Sequence, residues 1–280
     1  NFNGNTLTLQ CKQLNKIVGS ETFNGSLFLL PKDCRLTEFT LEGISNIQGD
    51  FQCIDYFYVK EFVMPFIRVA GDMTIALNSG SVNTAAEIEF PKLQEIGGTL
   101  TLGTNRNANN ITFPLLKKIL GSCSVTTYKL KNDIEFTNLE SIGTDGADAQ
   151  IKFEIEATNI LCPKLKTING KFDIATSSFM FDMEVDKVSY PNVESISENL
   201  SITCPYSDFG SNGILSIDFS GLKSAKGISI SGQGDVTDFS SFKYLFENNV
   251  LTGESQWSVK ECGYNPTFQE MKDGKYKLAE

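Results

Sequence analysis

The stretch FPKLQEIGGTLTL, Phe90 to Leu102, carries the reading of this chain. An aromatic residue and a proline open it, an apolar residue stands fourth, and an isoleucine follows three positions later. A glycine then precedes residues that alternate between apolar and polar. FPLLKKILGSCSV repeats the form at Phe113, and FTNLESIG at Phe136, with its strand IKFEIEA delayed to Ile151. CPKLKTINGKFDI follows at Cys162, YPNVESISENLSI at Tyr190 and FSGLKSAKGISI at Phe219. Upstream, MPFIRVAGDMTI at Met64 and LEGISNIQGDFQCI at Leu41 fit the frame. CKQLNKIVGS at Cys11 fits it more loosely, its strand displaced to SLFLL.

Taking the fourth residue as anchor gives Leu14, Ile44, Ile67, Leu93, Leu116, Leu139, Leu165, Val193 and Leu222, spaced 23 to 30 residues apart. Nine segments agreeing in residue type and spacing define a repeat architecture. Pairs such as Met73 and Ile75, Leu100 and Leu102, and Leu200 and Ile202 alternate with polar residues. Period-two alternation puts them on one face of a strand. One such strand cannot bury its apolar face alone, but stacked coils share a continuous core. The prediction is a right-handed parallel β-solenoid of nine or ten coils, ~45 Å long at ~4.8 Å per coil.

The glycine before the strand (Gly49, Gly71, Gly98, Gly170) is expected at a turn with positive φ. The proline is expected where the chain bends and no ladder donor is needed. No linker divides the sequence, so a single domain spans 1–280. It comprises an N-terminal cap over 1–36, coils over 37–238, a C-terminal cap over 239–262 and a polar tail over 263–280.

Composition narrows the chemistry. The 280 residues carry a net charge of -10 and no histidine. That absence removes Ser-His-Asp and Cys-His catalysis and most zinc sites. An acidic surface repels phosphate backbones, so nucleic acid is not an expected partner. No apolar run is long enough to span a bilayer as a helix. No residue pattern calls for a metal or a cofactor.

Seven cysteines make an odd set, and no CxxC occurs. Cys53, Cys123 and Cys162 fall at inward positions of the repeat and read as small buried hydrophobes. Cys11, Cys34, Cys204 and Cys262 lie off the core frame near the two ends. The expected pairs are Cys11 with Cys34 and Cys204 with Cys262, which leans towards a secreted or cell-surface protein.

The aromatic-Pro-x-Leu-x-x-Ile-x-Gly-x-Leu-x-Ile frame looks like the leucine-rich coil of receptor L-domains. More closely, it is similar to the fungal GPI-anchored cell-wall organisation and sporulation-specific cell-wall proteins. The best stretch is residues 218–262, DFSGLKSAKGISISGQGDVTDFSSFKYLFENNVLTGESQWSVKEC. There a last coil leads to a short amphipathic segment, then Asn249, Gly253 and a closing Cys262. The Ser-rich region and hydrophobic anchor tail usual in that family are missing here, and sequons are few. The resemblance implies a non-enzymatic, GPI-anchored cell-surface glycoprotein that contributes to vegetative or spore wall organisation. Its implied partners are a wall polysaccharide or a cell-surface protein, and its membrane contact a lipid anchor beyond this sequence. It carries over no catalytic residue. A receptor L-domain-type protein- or peptide-binding module is the alternative reading, and a polysaccharide-active β-helix enzyme the third.

Three N-x-S/T sequons, Asn24, Asn110 and Asn199, are the glycosylation candidates. Two carboxylates suffice for glycoside chemistry without histidine. Glu154, Glu156, Asp173, Asp182, Glu184 and Asp186 therefore need weighing, although a half-exposed strand shows such alternation anyway. Tyr56, Tyr58 and Trp257 lie off the repeat and are the candidate exposed aromatic contacts, weighed against packing beneath loops.

Overall fold

A computed structural model describes residues 5–9, 16–30, 38–54, 61–77, 86–104, 108–126, 133–146, 149–155, 159–176, 187–203, 216–232 and 235–279. The chain is a parallel β-solenoid with few helices. Its first sheet has eleven strands, from Thr6–Leu9 through Met73–Leu77, Leu100–Thr104 and Asn199–Thr203 to Trp257–Lys260. A second sheet of seven strands runs from Lys16–Val18 to Ile160–Leu161. A third, of eight very short strands, runs from Thr22–Phe23 to Ser195–Ile196. Each strand pairs in parallel with its equivalents in the neighbouring coils, so residues at one repeat position form columns.

The alternation reads through to burial. Met73, Ile75, Leu100, Leu102, Phe172, Ile174, Leu200, Ile202 and Ile230 are all buried, and the residues between them face outward. Ile47, Val69, Ile96, Ile119, Ile142, Ile168 and Ile196 form a second inward column from the third sheet. Phe90, Phe113 and Phe136 stack with centroids 4.9 Å apart at each step, the offset geometry aromatic rings prefer.

The proline has a specific setting. In successive coils the anchor N–H donates to the carbonyl three residues earlier: Leu93 to Phe90 at 3.3 Å, Leu165 to Cys162 at 3.1 Å and Leu222 to Phe219 at 2.9 Å. This closes a β-turn, and Pro91, Pro114, Pro163 and Pro191 occupy its second position, where their fixed φ fits and no donor is lost.

Four expectations are corrected. The coil at Met64 is one residue shorter. Val69 pairs with Ile96, which sets Phe66 and not Ile67 opposite Leu93. Phe66 is fully buried, and Ile67 is 36% exposed. Secondly, none of Gly49, Gly71, Gly98 and Gly170 has positive φ; that conformation belongs to Gly43, Gly143, Gly146, Gly232 and Gly274. The glycine column exists because coils touch there. A Cβ on Gly71 would lie 2.8 Å from the Gly49 carbonyl carbon, and one on Gly98 2.8 Å from that of Gly71.

Thirdly, the segment assigned to an N-terminal cap is already wound: Thr6–Leu9, Lys16–Val18, Thr22–Phe23 and Ser26–Leu29 take places in the three sheets. Fourthly, the polar tail is part of the C-terminal cap. Phe268 and Met271 of the helix Phe268–Lys272 are buried, and Phe239 N–H donates to Tyr276 O at 2.8 Å. Short helical turns at Ser240–Phe242 and Lys243–Glu247 bury Phe242, Leu245 and Phe246 over the last coils.

Cys53, Cys123 and Cys162 are buried thiols, as expected, and burial pushes each well above the ordinary thiol range. Cys11, Cys34 and Cys204 lie outside the described residues. Cys262 is buried in the cap, where its N–H donates to Asn265 Oδ1 at 3.0 Å. No disulfide joins two described residues.

Candidate functional site

The first sheet presents the broadest regular surface. Because Leu100, Leu102 and their equivalents point inward, the residues between them form outward columns. One column holds Thr8, Phe28 and Gln52, then Thr74, Thr101 and Ser124, then Lys152 and Asp173, then Ser201, Ser229 and Ser258, one residue per strand. A second holds Thr126, Glu154, Ala175, Thr203, Ser231 and Lys260. Two hydroxyl fields therefore flank a short charged belt.

The belt contains the carboxylates weighed for glycoside chemistry. Lys152 Nζ lies 2.5 Å from Glu154 Oε1, and Thr126 Oγ1 donates to Glu154 Oε2 at 2.7 Å. Lys171 Nζ lies 2.9 Å from Asp173 Oδ2. The Lys152 hydrogen bond, with that from Thr126, holds the Glu154 carboxyl below its ordinary range despite partial burial. Such a group is a poor proton donor near neutral pH. Glu156, Asp182, Glu184 and Asp186 lie outside the described residues.

The remaining site residues separate clearly. Asn24 is exposed in the turn between Phe23 and Ser26, and the hydroxyl of Ser26 in the same sequon accepts Asp50 N–H at 2.9 Å. Asn199 is exposed at the start of its strand, its amide oxygen over Gly227, where no side chain competes for space. Asn110 is on the strand Ala108–Thr112 of the second sheet, and its side chain is outside the described set. Tyr56 and Tyr58 also lie outside it.

Trp257 is not an exposed contact. It is 5% exposed, donates Nε1–H to Pro266 O at 2.8 Å and packs edge-on against Phe239, Phe242 and Phe246. Its strand is the last of the first sheet, and Trp257 takes the inward place opposite Ile228, closing the core.

Two features escaped the sequence reading. From Leu116 onward the residue after each anchor forms an outward column whose charge alternates: Lys117, Glu140, Lys166, Glu194, Lys223. Their backbones bond in series, Lys166 N–H to Glu140 O at 3.0 Å and Glu194 N–H to Lys166 O at 2.8 Å, and Lys223 Nζ reaches Glu194 Oε2 at 3.0 Å. Aligning the segments on the anchor would have revealed it. The second feature is a break in the second sheet after Ile160–Leu161; the strands Lys187–Ser189 and Ser216–Asp218 pair only with each other. A cysteine at Cys162, where other coils hold phenylalanine, was its only signal.

The fold and surface together define a parallel β-solenoid with a hydroxyl-rich face, a mixed-charge ladder and a capped C-terminal end. Among the described residues, no helix is long and apolar enough to cross a membrane, and no group of three or more His, Cys, Asp or Glu could hold a metal ion. Comparison with protein-family models, curated proteins and solved structures yields no match.

Proposed function

We propose that this protein is a non-enzymatic, secreted, GPI-anchored cell-surface glycoprotein that organises a fungal cell or spore wall by laying its first sheet along wall polysaccharide. The observation that carries this reading is the outward column from Thr74 to Ser258, where Thr74, Thr101 and Ser124 and then Ser201, Ser229 and Ser258 stand on either side of a neutralised charge belt. Strands repeat at ~4.8 Å, so hydroxyls recur along the rod at about the advance of one pyranose ring in an extended glycan. Hydroxyls donate and accept, so they exchange hydrogen bonds with a polyol surface without a charge penalty.

In this reading the solenoid is right-handed with nine or ten coils, the coil number drawing on the eleven parallel strands of the first sheet. Glycans on Asn24 and Asn199 sit on exposed side chains, at a turn and at a strand start, and leave the centre of the face open. Disulfides from Cys11 to Cys34 and from Cys204 to Cys262 close the ends.

Co-sedimentation of the purified chain with insoluble β-glucan, chitin and chitosan, with the supernatant assayed for released sugar, tests the reading. Binding without release, lost when Thr101 and Ser124 are both replaced by Glu, supports it. Release of sugar overturns it in favour of an enzyme. Absence of binding overturns it in favour of a protein-binding module of receptor L-domain type.

A further inference from the structure

Two Asn-Gly steps occupy the same place in different coils. Asn24 and Gly25 precede the first-sheet strand Ser26–Leu29, and Asn169 precedes Gly170 at the start of the strand Gly170–Thr176. Both glycines stand where successive coils touch. Gly49 N–H donates to Gly25 O at 2.9 Å, Gly71 N–H to Gly49 O at 3.0 Å and Gly98 N–H to Gly71 O at 2.9 Å. One dipeptide at one repeat position, set in two environments, isolates what the surroundings do.

Those surroundings differ. Asn169 is held on both sides: its N–H donates to Ile142 O at 2.8 Å, and its Nδ2 donates to Gly143 O at 3.2 Å. Gly170 is buried and paired with Ala149. Asn24 is exposed, and its carboxamide makes no hydrogen bond among the described residues. The Gly25 N–H likewise meets no acceptor among them. Gly25 bears no Cβ, so nothing on it obstructs the approach of its nitrogen to the Asn24 side chain.

We propose that Asn24 is a site of spontaneous covalent modification, where the chain closes a succinimide and opens it to isoaspartate and aspartate whenever the side chain bears no glycan. The Gly25 nitrogen attacks Asn24 Cγ. The N–Cγ bond forms, the Cγ–Nδ2 bond breaks, and Nδ2 leaves as ammonia with the proton from the Gly25 nitrogen. Water then adds at one of the two ring carbonyls. Opening at Cγ gives aspartate, and opening at the main-chain carbonyl gives isoaspartate. Water is the only co-reactant, and nothing is oxidised or reduced. At Asn169 the same closure needs a released carboxamide and a Gly170 nitrogen freed from its strand, so it waits for local opening of the coil.

The product matters at this position. Isoaspartate routes the main chain through Cβ and Cγ, lengthening it by one carbon just ahead of Gly25, whose carbonyl holds the Gly49 N–H. Either product adds a carboxylate and destroys the sequon. A glycan on Nδ2 is bulky and occupies the leaving nitrogen, so the two fates of Asn24 exclude each other. The inference stands whether or not the first sheet binds polysaccharide.

The test is incubation of the full chain, made in a host without N-glycosylation, at pH 8 and 37 °C, both native and in guanidinium chloride. Trypsin separates the two steps, Asn24 into peptide 17–32 and Asn169 into peptide 167–171, each with no other asparagine. Mass spectrometry reads deamidation, and an isoaspartyl methyltransferase reads the isoaspartate. In the native chain Asn24 is expected to convert about tenfold faster than Asn169 or more, and in denaturant the two rates are expected to come within about threefold. Asn24→Gln is expected to remove the isoaspartate from peptide 17–32. Native conversion of Asn24 no faster than that of Asn169 overturns the proposal. So does a tenfold difference that survives in denaturant, because it would come from sequence neighbours and not from the fold. Isoaspartate persisting in peptide 17–32 of Asn24→Gln overturns it as well.

Discussion

The hydroxyl of Tyr190 donates to the carbonyl of Ile160 at 3.0 Å, across the break in the second sheet. Cys162 makes this possible. It stands in its coil where Phe136 and Phe219 stand in theirs, and the volume it leaves is filled from the next coil by the longer ring of Tyr190. That ring packs against Phe153, Phe172 and Phe219 at 6.0, 5.5 and 5.7 Å. One hydrogen bond thus replaces backbone ladder bonds at a place where the coils part.

Tyr190→Phe therefore leaves the buried Ile160 carbonyl without this donor. The expected cost is about 1–2 kcal/mol, read as a lower denaturation midpoint with an unchanged slope. An unchanged midpoint would show that the break is held by packing alone.

The shifted frame at Met64 is checked by a pair of neighbours. Phe66→Ala should cost about 3–5 kcal/mol, as for a fully buried aromatic, and Ile67→Ser less than about 0.5 kcal/mol. The opposite ranking would restore Ile67 as the anchor.

The glycine column is checked by contrast. A Cβ on Gly98 would lie 2.2 Å from Asp72 Oδ1 and 2.8 Å from the Gly71 carbonyl carbon, whereas one on Gly103 meets nothing within 4 Å. Gly98→Ala should destabilise strongly. Gly103→Ala should be neutral or add about 0.4–1 kcal/mol by restricting the unfolded chain. Thermal melts of the two variants decide it.

Glu154 supplies a pH dependence. Lys152 and Thr126 depress its folded-state carboxyl below the ordinary glutamate range. The unfolded state therefore binds the proton first. The stabilisation is present above pH ~4.5 and disappears as pH falls through the lower folded value. Glu154→Gln should be less stable than wild type at pH 7, and the gap should close as pH falls below the depressed folded value. A gap that persists in acid would point to lost packing instead of lost charge.

Burial also sets the reactivity of the thiols. Cys53, Cys123 and Cys162 should resist alkylation in the native protein at pH 8 and react fully in denaturant, since only the thiolate attacks. The single tryptophan, Trp257, should emit at short wavelength and resist quenching by iodide until the cap unfolds. Native-state labelling of those three cysteines, or ready quenching of Trp257, would contradict the core assignment.

Much of this architecture is legible in the segments from Phe90 to Phe219. Each strand is short, faces one core and repeats its neighbour, so local alternation already states which side is buried. Ile96, Ile119 and Ile142 could be placed from spacing alone, because a column needs the same residue type at each step. Trp257 was misread because no aromatic-Pro-x-Leu frame precedes its strand, although it takes the inward place opposite Ile228 in the first sheet; the segment from Gly263 belongs to no repeat. The burial of that segment follows from contacts of Phe268 with Phe246 and of Tyr276 with Phe239, which are close in space through the cap and not through any period.

The chain's own order of residues thus states the parallel stacking, the inward columns and the buried thiols, since each follows from a period that one coil imposes on the next. Three matters depended on the assembled coils. Where one coil touches another closely enough to require Gly71 and Gly98 is a distance between segments far apart in sequence. The one-residue slip that buries Phe66 is set by pairing with Ile96. Among the described residues, Ser216–Asp218 ends its sheet because residues 237–239 find the C-terminal segment instead. Periodicity reports what repeats; it is silent where the chain stops repeating, and there packing between distant segments makes the choice.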